Sequence, residues 1–111
     1  YQVQRELGEG YREKHVQRAV AVVLEKEKIT FGREVEAVLE FEGKIIGRYF
    51  LDFVIDNKIV IELKVCSRPL KKDFDQIKYY LNKTGLILGL LACFSSNGVK
   101  IYRVLKPASN L

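Results

Sequence analysis

Residues 48–65, RYFLDFVIDNKIVIELKV, constrain the fold more than any other stretch of the chain. Val, Ile, Leu and Phe dominate both halves and Asp56-Asn57 marks a bend between them, the pattern of two strands joined by a tight turn. Three charges, Asp52, Glu62 and Lys64, interrupt the apolar run. A charge in mid-strand is costly to bury unless something pairs with it or uses it.

Strand alternation predicts where these charges fall. In the second strand Ile59, Ile61, Leu63 and Val65 share one face, and Val60, Glu62 and Lys64 the other. In the first, Tyr49, Leu51, Phe53 and Ile55 share a face, with Phe50, Asp52 and Val54 opposite. Matching apolar to apolar sets Phe53 beside Ile61 and Leu51 beside Leu63. Asp52 then lies across from Glu62, with Lys64 two residues further on the same face. This register needs an odd-length loop, Asp56-Asn57-Lys58, because a two-residue turn would set Asp52 against Ile61 and mix the faces.

With 111 residues, 48% of them hydrophobic and 30% charged, the chain is expected to form one globular domain over residues 1–111. No apolar run is long enough to cross a bilayer and nothing at the start resembles a signal peptide, so the expectation is a cytoplasmic protein with no membrane partner. Cys66 and Cys93 lie in or beside apolar strands and are expected to be free buried thiols. Their number excludes a four-cysteine zinc site or iron–sulfur cluster. The net charge of +5 is uneven: residues 1–70 hold 12 basic and 12 acidic groups, whereas residues 71–111 hold 7 and 2. A basic C-terminal part suits a polyanion such as nucleic acid.

Residues 1–7 resemble the end of a helix whose beginning is missing, and Gly8-Glu9-Gly10 favours a turn. From Tyr11 to Lys28 the periodicity is helical, with Val16, Ala19, Val20 and Val23 as the apolar stripe. Glu13 lies about 60° from Val16, facing inward, where it either compensates the helix dipole or serves a site. His15 lies about 200° around from Glu13 and is expected on the surface.

Residues 33–42 alternate, with Val35, Ala37, Leu39 and Phe41 on one face, and Glu42-Gly43-Lys44 turns the chain into the central hairpin. A second helix runs from Lys71 to Lys83, carries Leu70, Phe74, Ile77 and Leu81 as its stripe, and ends at Gly85. Gln76 and Tyr80, four apart, stack on one face beside that stripe. Residues 86–94 are apolar without alternation, as in a strand buried on both faces, and Val99–Leu105 alternate after a turn at residues 95–98. The tail, residues 106–111, is expected to be loose. The predicted order is α-β-β-β-α-β-β, an α/β fold with a mixed central sheet flanked by helices. The second helix is the crossover that makes the third and fourth strands parallel.

Taken alone, Asp52, Glu62 and Lys64 fit two descriptions. They are either a surface ion-pair cluster or a site in which two carboxylates share a hard cation beside a lysine. The arrangement of an acid at Asp52, a hairpin, then Glu62-Leu63-Lys64 resembles the signature of the PD-(D/E)XK nucleases. Gln76-Ile77-Lys78-Tyr79-Tyr80 resembles the QxxxY motif of their RecB-like branch, and Gly10-Tyr11-Arg12-Glu13 the GxxE that opens the small GxxExxY family. The likeness runs from about Glu6 to Leu105. Val16 stands where that family has Tyr, and Leu51 where the signature has Pro.

The resemblance implies a restriction-endonuclease-like core and Mg2+- or Mn2+-dependent hydrolysis of phosphodiester bonds, most simply in DNA. Asp52, Glu62 and Glu13 would hold one or two ions, and Lys64 would align the attacking water. Gln76 and Tyr80 would position substrate, and Lys71, Lys72 and Lys78 would contact phosphates. It also leaves open a non-catalytic nucleic-acid-binding or assembly module that keeps the fold, and a homo-oligomer or larger DNA-processing complex.

Overall fold

The computed structural model describes residues 1–7 and 13–106. Two helices, α1 (Gln2–Leu7) and α2 (Glu13–Lys26), precede three strands, β1 (Phe31–Phe41), β2 (Lys44–Ile55) and β3 (Ile59–Val65). Helix α3 (Lys71–Thr84) then leads to β4 (Leu88–Ser95) and β5 (Gly98–Leu105). The five strands lie in sequence order in one sheet, all antiparallel to their neighbours except the parallel pair β3–β4. That pair is the one joined through α3, as a crossover requires. The GxxE residues Gly10, Tyr11 and Arg12, the Gly8-Glu9-Gly10 turn, and residues 107–111 of the expected tail lie outside the described residues.

The sheet separates two apolar layers. Beneath α3, Ile77 and Leu81 pack with Leu51, Val54, Val60, Leu91, Cys93 and Val104. On the other face Val16, Ala21 and Leu24 of α2, with Val3 of α1, cover Phe53, Leu63, Ala92 and Phe94. The α2 stripe is rotated from the expected one. Gln17, Ala21 and Leu24 are buried along with Val16, whereas Ala19, Val20 and Val23 are only half-buried. Helix α3 ends as expected at Gly85, whose φ of 81° lies in the left-handed region and whose amide donates to Leu81 O at 2.9 Å. Leu70 caps the helix from outside and is exposed, so it leaves the stripe to Phe74, Ile77 and Leu81. Phe41, at the end of the β1–β2 hairpin, is exposed rather than inward.

The β2–β3 register is the expected one: Phe53 pairs with Ile61, Val54 with Val60 and Ile55 with Ile59. The loop is Asp56-Asn57-Lys58, its first two residues left-handed at φ 51° and 53°, a conformation that Asp and Asn adopt more readily than most side chains. The face assignment of β2 holds only to Phe53. Phe53 packs in the layer under α2, but Leu51 and Tyr49 pack in the α3 layer, so Leu51 is not the neighbour of Leu63. Glu34 on β1 is left-handed at φ 49°, and it and Asp52 drop out of the ladder between Arg33↔Phe53 and Val35↔Leu51 while the register stays in step. A local twist at Glu34 and Asp52 therefore swaps the faces, which strict alternation does not anticipate.

Gly89 in β4 lies directly under α3, where a Cβ would fall inside the van der Waals radius of Ile77 Cγ2. Ile77 is fully buried and its Cγ2 is fixed to a branched Cβ, so the helix itself would have to shift. Gly89→Ala should cost about 2–3 kcal/mol, read as a lower denaturant midpoint at unchanged m-value.

Candidate active site

The site forms where the sheet opens. Strands β2 and β3 exchange their main-chain ladder only as far as Phe53↔Ile61. At the next step two carboxylates take over. The Asp52 amide donates to Glu62 Oε1 at 2.7 Å, and the Leu63 amide donates to Asp52 Oδ2 at 2.7 Å. Each acid thus accepts a backbone donor from the strand opposite its own, which satisfies amides that separating strands would otherwise leave unpaired. Meanwhile β3 stays paired to β4 through Val65↔Phe94, so Glu62 and Lys64 project from a firmly held strand.

Two side chains that sequence reasoning passed over complete the support. Gln17 is buried in α2, and its Nε2 donates to Asp52 Oδ1 at 2.7 Å while its Oε1 accepts from Arg33 Nη2 at 3.2 Å. It lies one turn after Glu13, so the i, i+4 spacing was a usable signal. Asp73 is buried in the first turn of α3. One oxygen accepts the Leu70 amide at 2.8 Å and the other lies 3.7 Å from Lys64 Nζ. An acid at this third helical position is a common N-terminal feature, so the sequence alone does not set it apart. Replacing Gln17 by Leu leaves Asp52 Oδ1 and Arg33 without this partner. The fold should lose about 1–3 kcal/mol, measurable by chemical denaturation.

The electrostatics tie Glu13, Asp52, Glu62 and Lys64 into one group. Burial pushes Glu62 up to about 8, helped by repulsion from Asp52 and Glu13, while the Asp52 amide and Lys64 pull the other way. Desolvation also raises Asp52, against the Leu63 amide, Gln17 and Lys64, with Glu34 adding repulsion. Glu13, at the exposed rim, is raised by partial desolvation, opposed by Lys64 and reinforced by Asp52 and Asp73. Burial pulls the Lys64 ammonium down, but Glu13, Asp73, Glu62 and Asp52 together lift it above its ordinary value. All three acids are pushed toward their neutral form, and a cation bound among them would favour the ionised carboxylates instead.

The QxxxY residues stand at the margin. Gln76 is exposed, and its main-chain carbonyl accepts the Tyr49 hydroxyl at 3.0 Å. Tyr49 is pushed up to about 12 by burial and by Tyr79, Glu62 and Tyr80, which sets it between the acids and α3. Tyr80 is half-buried and also lines a cleft between α3 and β1 with Glu36, Glu40 and Lys83. Lys71, Lys72 and Lys78 are exposed, and Lys71 pairs with Asp75 at 2.9 Å. His15 is exposed on α2.

The donors suit a hard divalent ion, since Asp52, Glu62 and Glu13 offer carboxylate oxygens only. Among the described residues no group of three or more His, Cys, Asp or Glu side chains is placed to hold a metal ion, so any ion here would draw on one or two carboxylates at a time.

A mixed sheet between helices, opened at paired acids beside a lysine, is a restriction-endonuclease-like fold. The profile of the PD-(D/E)XK nuclease superfamily matches residues 1–104, and the chain belongs to that superfamily. Two solved structures share the fold. One is described as the crystal structure of SSO0001, with a TM-score of 0.68, 22% identity, and coverage of 86% of this chain and 50% of its own. The other is an alkaline exonuclease (LHK-Exo) from Laribacter hongkongensis, with a TM-score of 0.55, 11% identity, and coverage of 81% and 54%. The chain spans about half the length of each. No curated protein matches the sequence. No helix among the described residues is long and apolar enough to cross a membrane.

Proposed function

We propose that this chain is a Mg2+- or Mn2+-dependent nuclease that hydrolyses phosphodiester bonds, in DNA by preference. One observation carries the reading: the carboxyl groups of Asp52 and Glu62, each bound to the opposite strand's amide beside Lys64 where the strands part. Membership of a nuclease superfamily supports it. Asp52, Glu62 and Glu13 would hold the ion, which when bound supplies an acidified water and offsets phosphate charge.

The chain's own groups have separable tasks. Gln17 and the Leu63 amide hold Asp52 in one orientation. Lys64, steered by Asp73, would align the attacking water and stabilise charge on the phosphate as the bond breaks. Gln76 and Tyr80 would position the substrate strand, and Lys71, Lys72 and Lys78 would meet its phosphates. The motifs at Gln76–Tyr80 and Gly10–Glu13 favour the RecB-like branch and the GxxExxY family within the superfamily.

The test is a panel of single-stranded DNA, double-stranded DNA and RNA, incubated with purified protein and either ion. At least one DNA form should be cut, and a chelator should stop the reaction. The absence of a three-ligand metal group among the described residues favours a second reading, a module that binds nucleic acid or assembles with other chains without cutting. Such a module would leave the whole panel intact and show no appreciable affinity for either ion.

A further inference from the structure

Cys66 and Cys93 are both free, and Cys66 Sγ donates to Cys93 Sγ across only 3.2 Å. Cys66 follows the last residue of β3 and its amide donates to Phe94 O at 3.1 Å, which ties it to β4. Cys93 is the parallel register partner of Lys64, and Cys66 lies two residues beyond Lys64. Paired neighbours and residues two apart share a sheet face, so both sulfurs flank the base of the Lys64 side chain under α3. Neither thiol has a task in the site described above. Cys66 is half-buried and within reach of a small reagent, whereas Cys93 is buried.

We infer that Cys66 and Cys93 form a redox pair that closes to a disulfide and, in closing, draws Lys64 out of position. The oxidant is a small-molecule disulfide, glutathione disulfide. The Cys66 thiolate attacks one of its sulfurs, forming a mixed disulfide and releasing one glutathione as thiolate. Cys93 then gives up its proton to solvent, and its sulfur attacks Cys66 Sγ and displaces the second glutathione. The two protein thiols lose two electrons and two protons, and the oxidant is reduced to two glutathione molecules. Exposure assigns the roles: half-buried Cys66 is the attacking thiol, and buried Cys93, its thiol pushed up to about 12 by burial and by contact with Cys66, is the resolving one.

A disulfide holds its sulfurs about 2.05 Å apart, so they must approach by about 1 Å. Cys93 is packed into the core, so the movement falls on the end of β3 beyond Lys64. The ammonium's ion pair with Asp73 is a loose 3.7 Å contact, and a displacement of about 1 Å at a catalytic group can cost on the order of 10²-fold in rate.

This effect on Lys64 rests on the nuclease reading, but closure of the pair does not. The experiment treats folded protein with glutathione disulfide and follows intact mass, a non-reducing peptide map and DNA cleavage. The expected product has lost two hydrogens and links the Cys66 and Cys93 peptides. Cleavage should fall by roughly 10- to 100-fold, recover with dithiothreitol, and stay high in oxidised Cys66→Ser. A stable glutathione adduct, or unmodified thiols, overturns the pairing. A linked protein that cleaves as fast as the reduced one overturns the effect on Lys64. If the reduced protein cuts nothing, the nuclease reading fails while the mass and map still decide the pairing.

Discussion

Replacing Lys64 by Met should lower DNA cleavage roughly 10²- to 10³-fold while leaving the fold in place. Met keeps an unbranched apolar stem of similar length under α3, so the packing beneath Cys93 and Asp73 changes little. What disappears is the only cation among the four interacting side chains Glu13, Asp52, Glu62 and Lys64. Without the ammonium's share in stabilising charge on the phosphate in the transition state, the loss should appear in the rate of the chemical step rather than in substrate affinity. Lys64→Arg should recover only part of the rate, because a planar guanidinium does not reproduce the compact ammonium beside Asp73. The stability cost should stay near 1 kcal/mol, because Asp73 keeps its bond from the Leu70 amide. Single-turnover kinetics and thermal melts on the same samples separate these effects.

The second large effect concerns stability and pH. Glu62 is pushed from an ordinary 4.5 to about 8 in the folded chain, first by burial and then by repulsion from Asp52. As pH rises between those values the unfolded chain loses this proton before the folded one does. Stability contributed by protonated Glu62 is therefore complete below about pH 4.5 and is lost by about pH 8. Each pKa unit corresponds to about 1.4 kcal/mol, so the loss amounts to a few kcal/mol. Glu62→Gln keeps an oxygen to accept the Asp52 amide and removes the ionisation. In the presence of a chelator the variant should be more stable than the parent at pH 8 and nearly equal to it at pH 4. Denaturant midpoints across that range check the sign. Equal stability at pH 8 would mean that Glu62 is ionised at little cost.

Much of the architecture was legible because it depends on local patterning. The parity of the Asp56-Asn57-Lys58 loop and the Phe53↔Ile61 register follow from keeping apolar faces together. The parallel β3–β4 pair follows from the helix between them. The misread parts share a cause: they depend on contacts distant in sequence. The face swap at Asp52 comes from the left-handed residue Glu34 on the neighbouring strand. The α2 stripe rotates so that Gln17 meets Asp52, a partner 35 residues away. Asp73 is an ordinary helix-start acid until the fold brings Lys64 to within 3.7 Å of it. Asp52, Glu62, Lys64 and Glu13 stood out as candidates because charges in or beside apolar runs are conspicuous. Gln17 and Asp73 were not, because each has an ordinary place in an amphipathic helix.

If the acids around Lys64 are a cation site, calorimetric titration of Mn2+ into the purified protein detects it most directly. The wild-type chain should bind the ion with measurable heat, and Asp52→Asn should bind at least 10-fold more weakly, since Asp52 lies between Gln17 and the Glu62 strand at the centre of the group. If the wild type takes up no Mn2+, or if Asp52→Asn binds it equally well, the carboxylates around Lys64 are not a metal centre and the proposed chemistry is wrong.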